Sequence, residues 1–311
     1  MRVNRVAFLT AVVLTPRAIA FLPGGSCFHS SHDPQRRHKH ANGNSPCARR
    51  DTFLRASLWS RMRGSGKGED NMATEEKRPK LKVIGRAGPS DEPPEYDDTG
   101  IVDRGLLGIF RSKLAEEIEG DGYSDGYEGL MEMIRALNQK YPTKRATQEA
   151  SRRVLKSLFP PWLPARFAVM FSKPFPEFSS RLNAWVTLVA SQWLMGASKI
   201  NDVEIDGGKT GVGHGLLVER CRFLEQSGCA SVCMNTCKIP TEEFFMKDMG
   251  LPLEMKPDYE DFSCQFSFGK TPLRREEDEA FQVTCFTQCP SKGDLRGKVK
   301  RCHQIDIEGT V

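Results

Sequence analysis

Three things are scarce in this chain of 311 residues, and each scarcity excludes something. Long apolar runs are missing. The run from Val6 to Leu14 falls well short of the roughly 20 residues that a bilayer span needs. The most apolar stretch of the body, AWVTLVASQWLMGA (184–197), has the length of a core helix, so no helical span is expected. Histidine is scarce as well. Of six, only His214 and His303 fall in the body, and a two-His-one-carboxylate iron site would need both, from distant segments. Acids are scarce in one region only. Residues 1–68 hold 12 Lys and Arg against Asp33 and Asp51, which leaves 33 basic and 38 acidic residues for 69–311. The formal net charge of +5 therefore hides a leader of +10 and a body of −5. The body has no basic patch interleaved with aromatics, so the charge is no argument for nucleic acid, and no such partner is expected.

The leader itself has two parts. MRVNRVAFLTAVVLTPRAIAFLPGG opens with Arg2 and Arg5, continues with the short apolar core, and offers Ala18-Ile19-Ala20 as a small-residue cleavage site. Residues 1–20 are thus expected to be a signal peptide. Residues 21–68 are rich in Ser, Arg and His and poor in acids, which is transit-peptide chemistry. The two in series, with Phe21 directly after the cleavage site, resemble the two-part plastid address of algae with secondary plastids. A plastid location, reached through a signal plus transit peptide, is the expectation. Residues 69–100 are charged and rich in Pro and Gly and read as a disordered linker.

The body changes period near residue 200. Before it, helix spacing dominates: Leu106, Leu107, Phe110 and Leu114 share one face, and Leu130, Met133, Ile134 and Leu137 share another. Further helices are expected over 146–158 and 179–197. Between them, LFPPWLPARFAVMFSKPFPEF (158–178) carries five Pro, with Trp162, Phe167, Phe171 and Phe175 beside Arg166 and Lys173. Aromatics next to cations suit a membrane surface or the mouth of an apolar tunnel; the alternative is plain core filling. After residue 200 the alternation is two. Phe262, Cys264, Phe266 and Phe268 fall on one face of DFSCQFSFG, and Phe281, Val283 and Cys285 on one face of AFQVTCF. Weaker strands are expected over 202–206 and 214–221. The fold class is α+β: a helical region, 101–200, packed on a Cys-rich part, 201–311, with a small antiparallel sheet.

That second part is rich in thiols. Eight cysteines, at 221, 229, 233, 237, 264, 285, 289 and 302, stand in the body. Cys229, Cys233 and Cys237 are four apart, so on an α-helix they share a face, drifting about 40° per step. Their Cβ atoms would lie about 5–6 Å apart, against the ~3.8 Å of a disulfide, so they do not pair with each other. Pairing with Cys264, Cys285 or Cys289 remains open, although a plastid stroma is reducing. Ser227 and Gly228 are expected to start the helix, placing Cys229 in its first turn, where the dipole favours thiolate; Pro240 is expected to end it. Cys285 and Cys289 repeat the four-residue step, with Pro290 following. All eight thiols are candidate ligands. Soft thiolates suit iron, as an Fe–S cluster or a thiolate-bound ion, with zinc as the lesser choice. A disulfide frame and inert packing are the other two readings.

The stretch CRFLEQSGCASVCMNTCKIPTEEFFMKDMGLPLEMKPDYEDFSCQFSFGKTP (221–272), continued by CFTQCP (285–290), resembles the Dwarf twenty-seven family of plastid β-carotene isomerases of the strigolactone pathway. The likeness covers 145–290 and is strong over 215–290. It departs at Asp258-Tyr259, where the family pattern has Asn-Phe. The resemblance implies an iron-containing isomerase acting on all-trans and 9-cis β-carotene, with a hydrophobic carotenoid as substrate. It carries over no catalytic residue. For such a reaction one double bond must briefly lose its double character. One route is one-electron exchange at a Cys-ligated iron beside an apolar channel, for which Phe244, Phe245, Phe262, Phe266 and Phe268 are candidates. The other is protonation by a buried carboxylic acid of raised pKa, for which Glu260 and Asp261 are candidates. A redox partner, and a peripheral membrane contact through residues 158–178, are the other expected partners. The rival function is a plastid Fe–S electron carrier or redox sensor without carotenoid substrate, and a third is a zinc-stabilised interaction module.

Overall fold

The computed structural model describes residues 87–287 together with Cys289, Cys302 and Ile305. The signal and transit segments, residues 69–86 of the linker, and His303 lie outside the described residues.

Three helices form the first layer: α1 (Ile101–Ile118), α2 (Gly126–Lys140) and α3 (Lys144–Ser157). The apolar stripe of α2 is fully turned inward, with Leu130, Met133, Ile134 and Leu137 buried against α1 and α3. Pro142 sits between α2 and α3, and Thr143 caps the second by accepting a hydrogen bond from the Ala146 N–H at 3.2 Å. Two short elements follow, α4 (Leu163–Phe167) and a π-helical turn (Ala168–Ser172), and then the long α5 (Pro176–Met195). Pro176 lies in the first turn of α5, where a missing N–H costs nothing. Gly196, at φ +90°, ends it.

A four-stranded antiparallel sheet forms the second layer, in the order β1-β2-β4-β3. β1 (Ser198–Ile205) and β2 (Lys209–Val218) make a hairpin whose loop needs Gly207 and Gly208 at positive φ. β3 (Leu253–Pro257) and β4 (Cys264–Phe268) complete the sheet. α5 packs across β1 and β2. The mixed α+β architecture matches the pattern change near residue 200. Two strand expectations need correction. Residues 280–286 are not a strand: a 3-10 turn (Glu279–Phe281) and an isolated bridge at 283–284 stand there. β3 has no alternating signature, because it is only five residues long, follows Pro252 and ends on Pro257, and three of its residues, Leu253, Glu254 and Met255, are consecutively buried.

Between β2 and β3 runs the helical cysteine segment: α6 (Arg222–Ser227), α7 (Ala230–Val232), a π turn (Cys233–Lys238), α8 (Ile239–Glu243) and a second π turn (Phe244–Asp248). The expected stop at Pro240 does not occur. The π turn ends at Lys238, with Ile239 N–H reaching back five residues to the Met234 carbonyl, and Pro240 falls in the first turn of α8, where a missing N–H is tolerated, so the chain stays helical. Nor does Ser227 cap the cysteine helix. It closes α6, its hydroxyl donating to the Leu224 carbonyl, and Gly228 at φ +58° terminates that helix in left-handed conformation. Cys229 is the extended residue ahead of α7.

The end of the linker is also ordered, contrary to expectation. Gly88 N–H donates to the Tyr259 carbonyl at 3.0 Å, and Asp98 grips the Arg222 guanidinium with both oxygens, at 2.6 and 2.7 Å. Arg222 is sandwiched between the Tyr96 and Tyr127 rings, 4.3 and 3.6 Å from their centroids. This clamp holds the start of α6 and with it Cys221.

Candidate functional site

The sheet register brings the first thiols together. Cys264 opens β4 opposite Val218 of β2, and Cys221 follows just beyond the end of β2. Cys221 N–H donates to the Phe262 carbonyl at 2.8 Å, which ties the two cysteine positions through the backbone. Phe262 stands at φ +63°, a conformation that a bulky side chain enters at a cost, so the chain stores strain two residues before Cys264. Its ring lies against Gly88, where a Cβ would come within 2.0 Å of it. From the other side the π turn presents Cys233 and Cys237. Cys221, Cys233, Cys237 and Cys264 thus line one cavity, walled by Phe223, Leu224, Met195, Met255, Pro257 and Phe266. Its volume is about 10 Å³, room for about one water-sized group.

Burial dominates the chemistry of this quartet. It pushes Cys221 up to about 11 and Cys237 to about 12, and holds Cys233 and Cys264 well above the ordinary thiol value. The expected helix-start depression at Cys229 is also absent: its thiol is raised, first by the hydrogen bond with Cys289 and then by burial. The quartet therefore consists of neutral thiols as it stands, and a ligand would have to displace their protons. Two backbone groups already favour a negative sulfur at Cys221: the Leu224 N–H donates to its Sγ at 3.5 Å, and the Phe223 N–H acts in the same sense. Among the described residues no group of three or more His, Cys, Asp or Glu is placed to hold a metal ion. In kind and number the four sulfurs suit one soft ion; they line the cavity without converging on its centre.

Beside the cavity lies a charged group that the sequence reading missed. Lys238, which also lines it, is 1% exposed. Its ammonium donates to Glu242 Oε1 at 2.6 Å, to the Met255 carbonyl at 2.7 Å, and contacts Asp278 Oδ2 at 2.8 Å. Glu242 Oε1 also accepts from the Met255 N–H at 2.8 Å. Burial alone would push Lys238 down, but the two carboxylates outweigh it and hold the amine above its usual range. Burial pushes Glu242 up to about 7 against the pull of Lys238. The i,i+4 spacing of Lys238 and Glu242 was the one signal available from sequence; Asp278 comes from a distant segment.

The carboxyls singled out for acid chemistry are elsewhere. Glu260 and Asp261 are exposed in the turn between β3 and β4, where the Asp258 side chain accepts from Glu260 N–H and the Asp261 side chain from Ser263 N–H. They lack the burial that an acid route requires, and Glu242 has it. Of the phenylalanines, Phe266 lines the cavity. Phe244, Phe245 and Phe268 form a packed aromatic row, with neighbouring centroids 5.3 Å apart, as ordinary core does. His214 is buried on β2 with Nδ1 unsatisfied and is no part of the thiol cavity.

The other thiols form a second set. Cys289 Sγ lies 3.9 Å from Cys229 Sγ, and Cys229 is also within electrostatic reach of Cys302. Cys285, Cys289 and Cys302 are all buried. Tyr259 is buried within electrostatic reach of thiols of both sets, Cys233 and Cys264 of the first and Cys302 of the second. Its hydroxyl donates to the Ala280 carbonyl at 3.3 Å, so its polar end is satisfied. Sulfurs 3.9 Å apart need only a small rotation to reach the ~2.05 Å of a disulfide. Treating the folded protein with hydrogen peroxide is therefore expected to consume two thiols by joining Cys229 to Cys289, with two waters formed. Mass mapping should find this linkage and not a Cys233–Cys237 one, and Cys289→Ser should abolish it.

Residues 193–277 match the family model described as beta-carotene isomerase D27-like, C-terminal. Every residue lining the thiol cavity falls inside that segment, whereas Cys285, Cys289 and Cys302 fall outside it. Over 179 residues the chain is 33% identical to "Beta-carotene isomerase D27, chloroplastic" of Arabidopsis thaliana, covering 57% of this chain and 65% of that protein. Over 168 residues it is 29% identical to the protein of the same name from Medicago truncatula, covering 54% of this chain and 64% of that one. The chain thus spans somewhat under two thirds of the length of these curated relatives. No solved structure matches it significantly. The resemblance carried by the cysteine motifs is thereby shown.

Proposed function

We propose that this protein is a carotenoid cis–trans isomerase of the plastid, interconverting all-trans and 9-cis β-carotene or a related carotenoid. One observation carries the reading: the segment that matches the isomerase family model is the segment that builds the thiol cavity. The relatives' chloroplastic names support a plastid location, and the two-part leader supports a secondary plastid.

Iron belongs to the proposal. Cys221, Cys233, Cys237 and Cys264 would hold it after drawing together, since they do not converge as they stand, and a cavity with room for one small group suits a single thiolate-bound ion better than a multi-iron cluster. When bound, such an ion supplies one-electron exchange, with zinc the lesser choice. The chain's own contribution is the apolar wall that excludes water, and Lys238, a fixed positive charge beside sulfurs that become anionic on loading. A long polyene does not enter a cavity of about 10 Å³, so it would meet the site at the cavity's edge. That closed geometry is also what favours the second reading, an electron carrier or redox sensor with no carotenoid substrate.

The test is to express the full chain anaerobically, measure iron, sulfide and zinc, and incubate it with all-trans β-carotene in detergent, following isomers by chromatography. A cis product formed in proportion to iron content is expected. A reversible one-electron spectrum without isomer formation would instead establish the carrier. Zinc alone, or no metal, would remove the redox route.

A further inference from the structure

The structure assigns residues 162–178 as a docking face for an anionic lipid surface. Trp162, Val169, Met170, Phe175 and Phe178 are each between 54% and 65% exposed. Soluble chains seldom leave so many large apolar groups together in water unless something covers them. The face is built, not frayed. Phe178 of the face continues a ring row through Phe171 to Phe167, with neighbouring centroids 6.3 and 5.2 Å apart. Ser172 anchors it by donating to the Met249 carbonyl at 2.7 Å, and Ala168 packs on Gly250, where a Cβ would lie 3.0 Å away.

Charge decides the occupant. Arg166 and Lys173 are exposed within this segment, and among the described residues neither has an ion-pair partner. Glu177 is the segment's one acid. Exposed cations in one segment with an exposed Trp and Phe suit the headgroup boundary, where the rings enter the acyl region and the cations meet phosphate. A protein partner would have to bring carboxylates to both cations, whereas an anionic headgroup layer offers phosphate at every point of contact. Preferring lipid also rests on the isomerase reading, because a carotenoid is delivered from a lipid phase. Among the described residues no helix is long and apolar enough to cross a membrane, so contact would be peripheral.

The test is co-sedimentation of the full chain with vesicles of phosphatidylcholine alone or mixed with phosphatidylglycerol, without carotenoid. Binding to the anionic vesicles is expected to be about tenfold stronger or more, and to weaken with salt. Joint replacement Trp162→Ser, Val169→Ser and Phe175→Ser should lower it by about tenfold or more with an unchanged circular dichroism spectrum, because these side chains are exposed. Arg166→Glu with Lys173→Glu should erase the preference for anionic vesicles. No sedimentation with either vesicle, or undiminished binding by the serine variant, would overturn the assignment. So would a concentration-dependent dimer that the serine variant loses, since a second copy would then cover the face. The readout contains no substrate, so a failed isomerase assay leaves it standing, and failed vesicle binding leaves the detergent assay unaffected.

Discussion

With iron at the thiol cavity as proposed, Cys233→Ser or Cys264→Ser is expected to empty the protein of it and to lower the proposed isomerisation by about 100-fold or more, whereas Cys229→Ser keeps both. The contrast follows from position. Cys233 and Cys264 line the cavity from opposite elements, one from the π turn and one from β4. Cys229 lies one helical turn away from Cys233 yet faces Cys289. Even outer partners of metal ligands typically change affinity or activity by about 10–100-fold, so a ligand should do at least as much. Serine is close to cysteine in size, so loss of fold is a lesser concern, and thermal melting would check it. If Cys229→Ser empties the protein and Cys233→Ser does not, the grouping of thiols is wrong. If all three variants keep activity, the thiols are packing.

Lys238→Met is expected to destabilise the protein by about 3–5 kcal/mol in urea unfolding, the largest effect of any single change considered. The ammonium is buried with three oxygen contacts, and removing it leaves Glu242 and Asp278 facing each other without their cation. Methionine fills similar space, so lost packing contributes little. Adding Glu242→Gln should recover part of the loss, because the amide oxygen can still accept from Met255 N–H. The same group sets a pH dependence. Burial raises Glu242 from 4.5 to about 7, so the folded state holds its proton more tightly than the unfolded one. Its contribution is complete below about 4.5 and is lost as pH rises through 7. The defect of Lys238→Met should therefore be smaller at pH 5 than at pH 8, and the double variant should lack that slope. Equal defects at both pH values would place the charge on Asp278 instead.

The helices were legible because their apolar period is strong. Leu130, Met133, Ile134 and Leu137 are all buried as their spacing predicts. β4 was legible for the same reason, although Phe262 lies outside it in a strained turn that no alternation reveals. The alternation at 280–286 misled, since a single bridge needs no strand. Pro240 misled in the other direction, because it falls in the first turn of α8, directly after the π turn, where a proline is tolerated. Glu260 and Asp261 were attractive for their place beside Cys264, and only their exposure removes them.

The chain's sequence by itself determined the thiol-rich C-terminal part, the helical and sheet periods, and the family resemblance, because each is a local pattern of residue types. Only the tertiary structure decided which thiols meet. Antiparallel pairing of β2 with β4 delivers Cys264 to Cys221, and the π turn rotates Cys233 and Cys237 toward them while Cys229 turns to Cys289. The same holds for Lys238 and Asp278, and for the aromatic face left uncovered at 162–178. Periodicity says which side of an element is apolar. What that side faces depends on long-range pairing, whose energy is shared over the whole core.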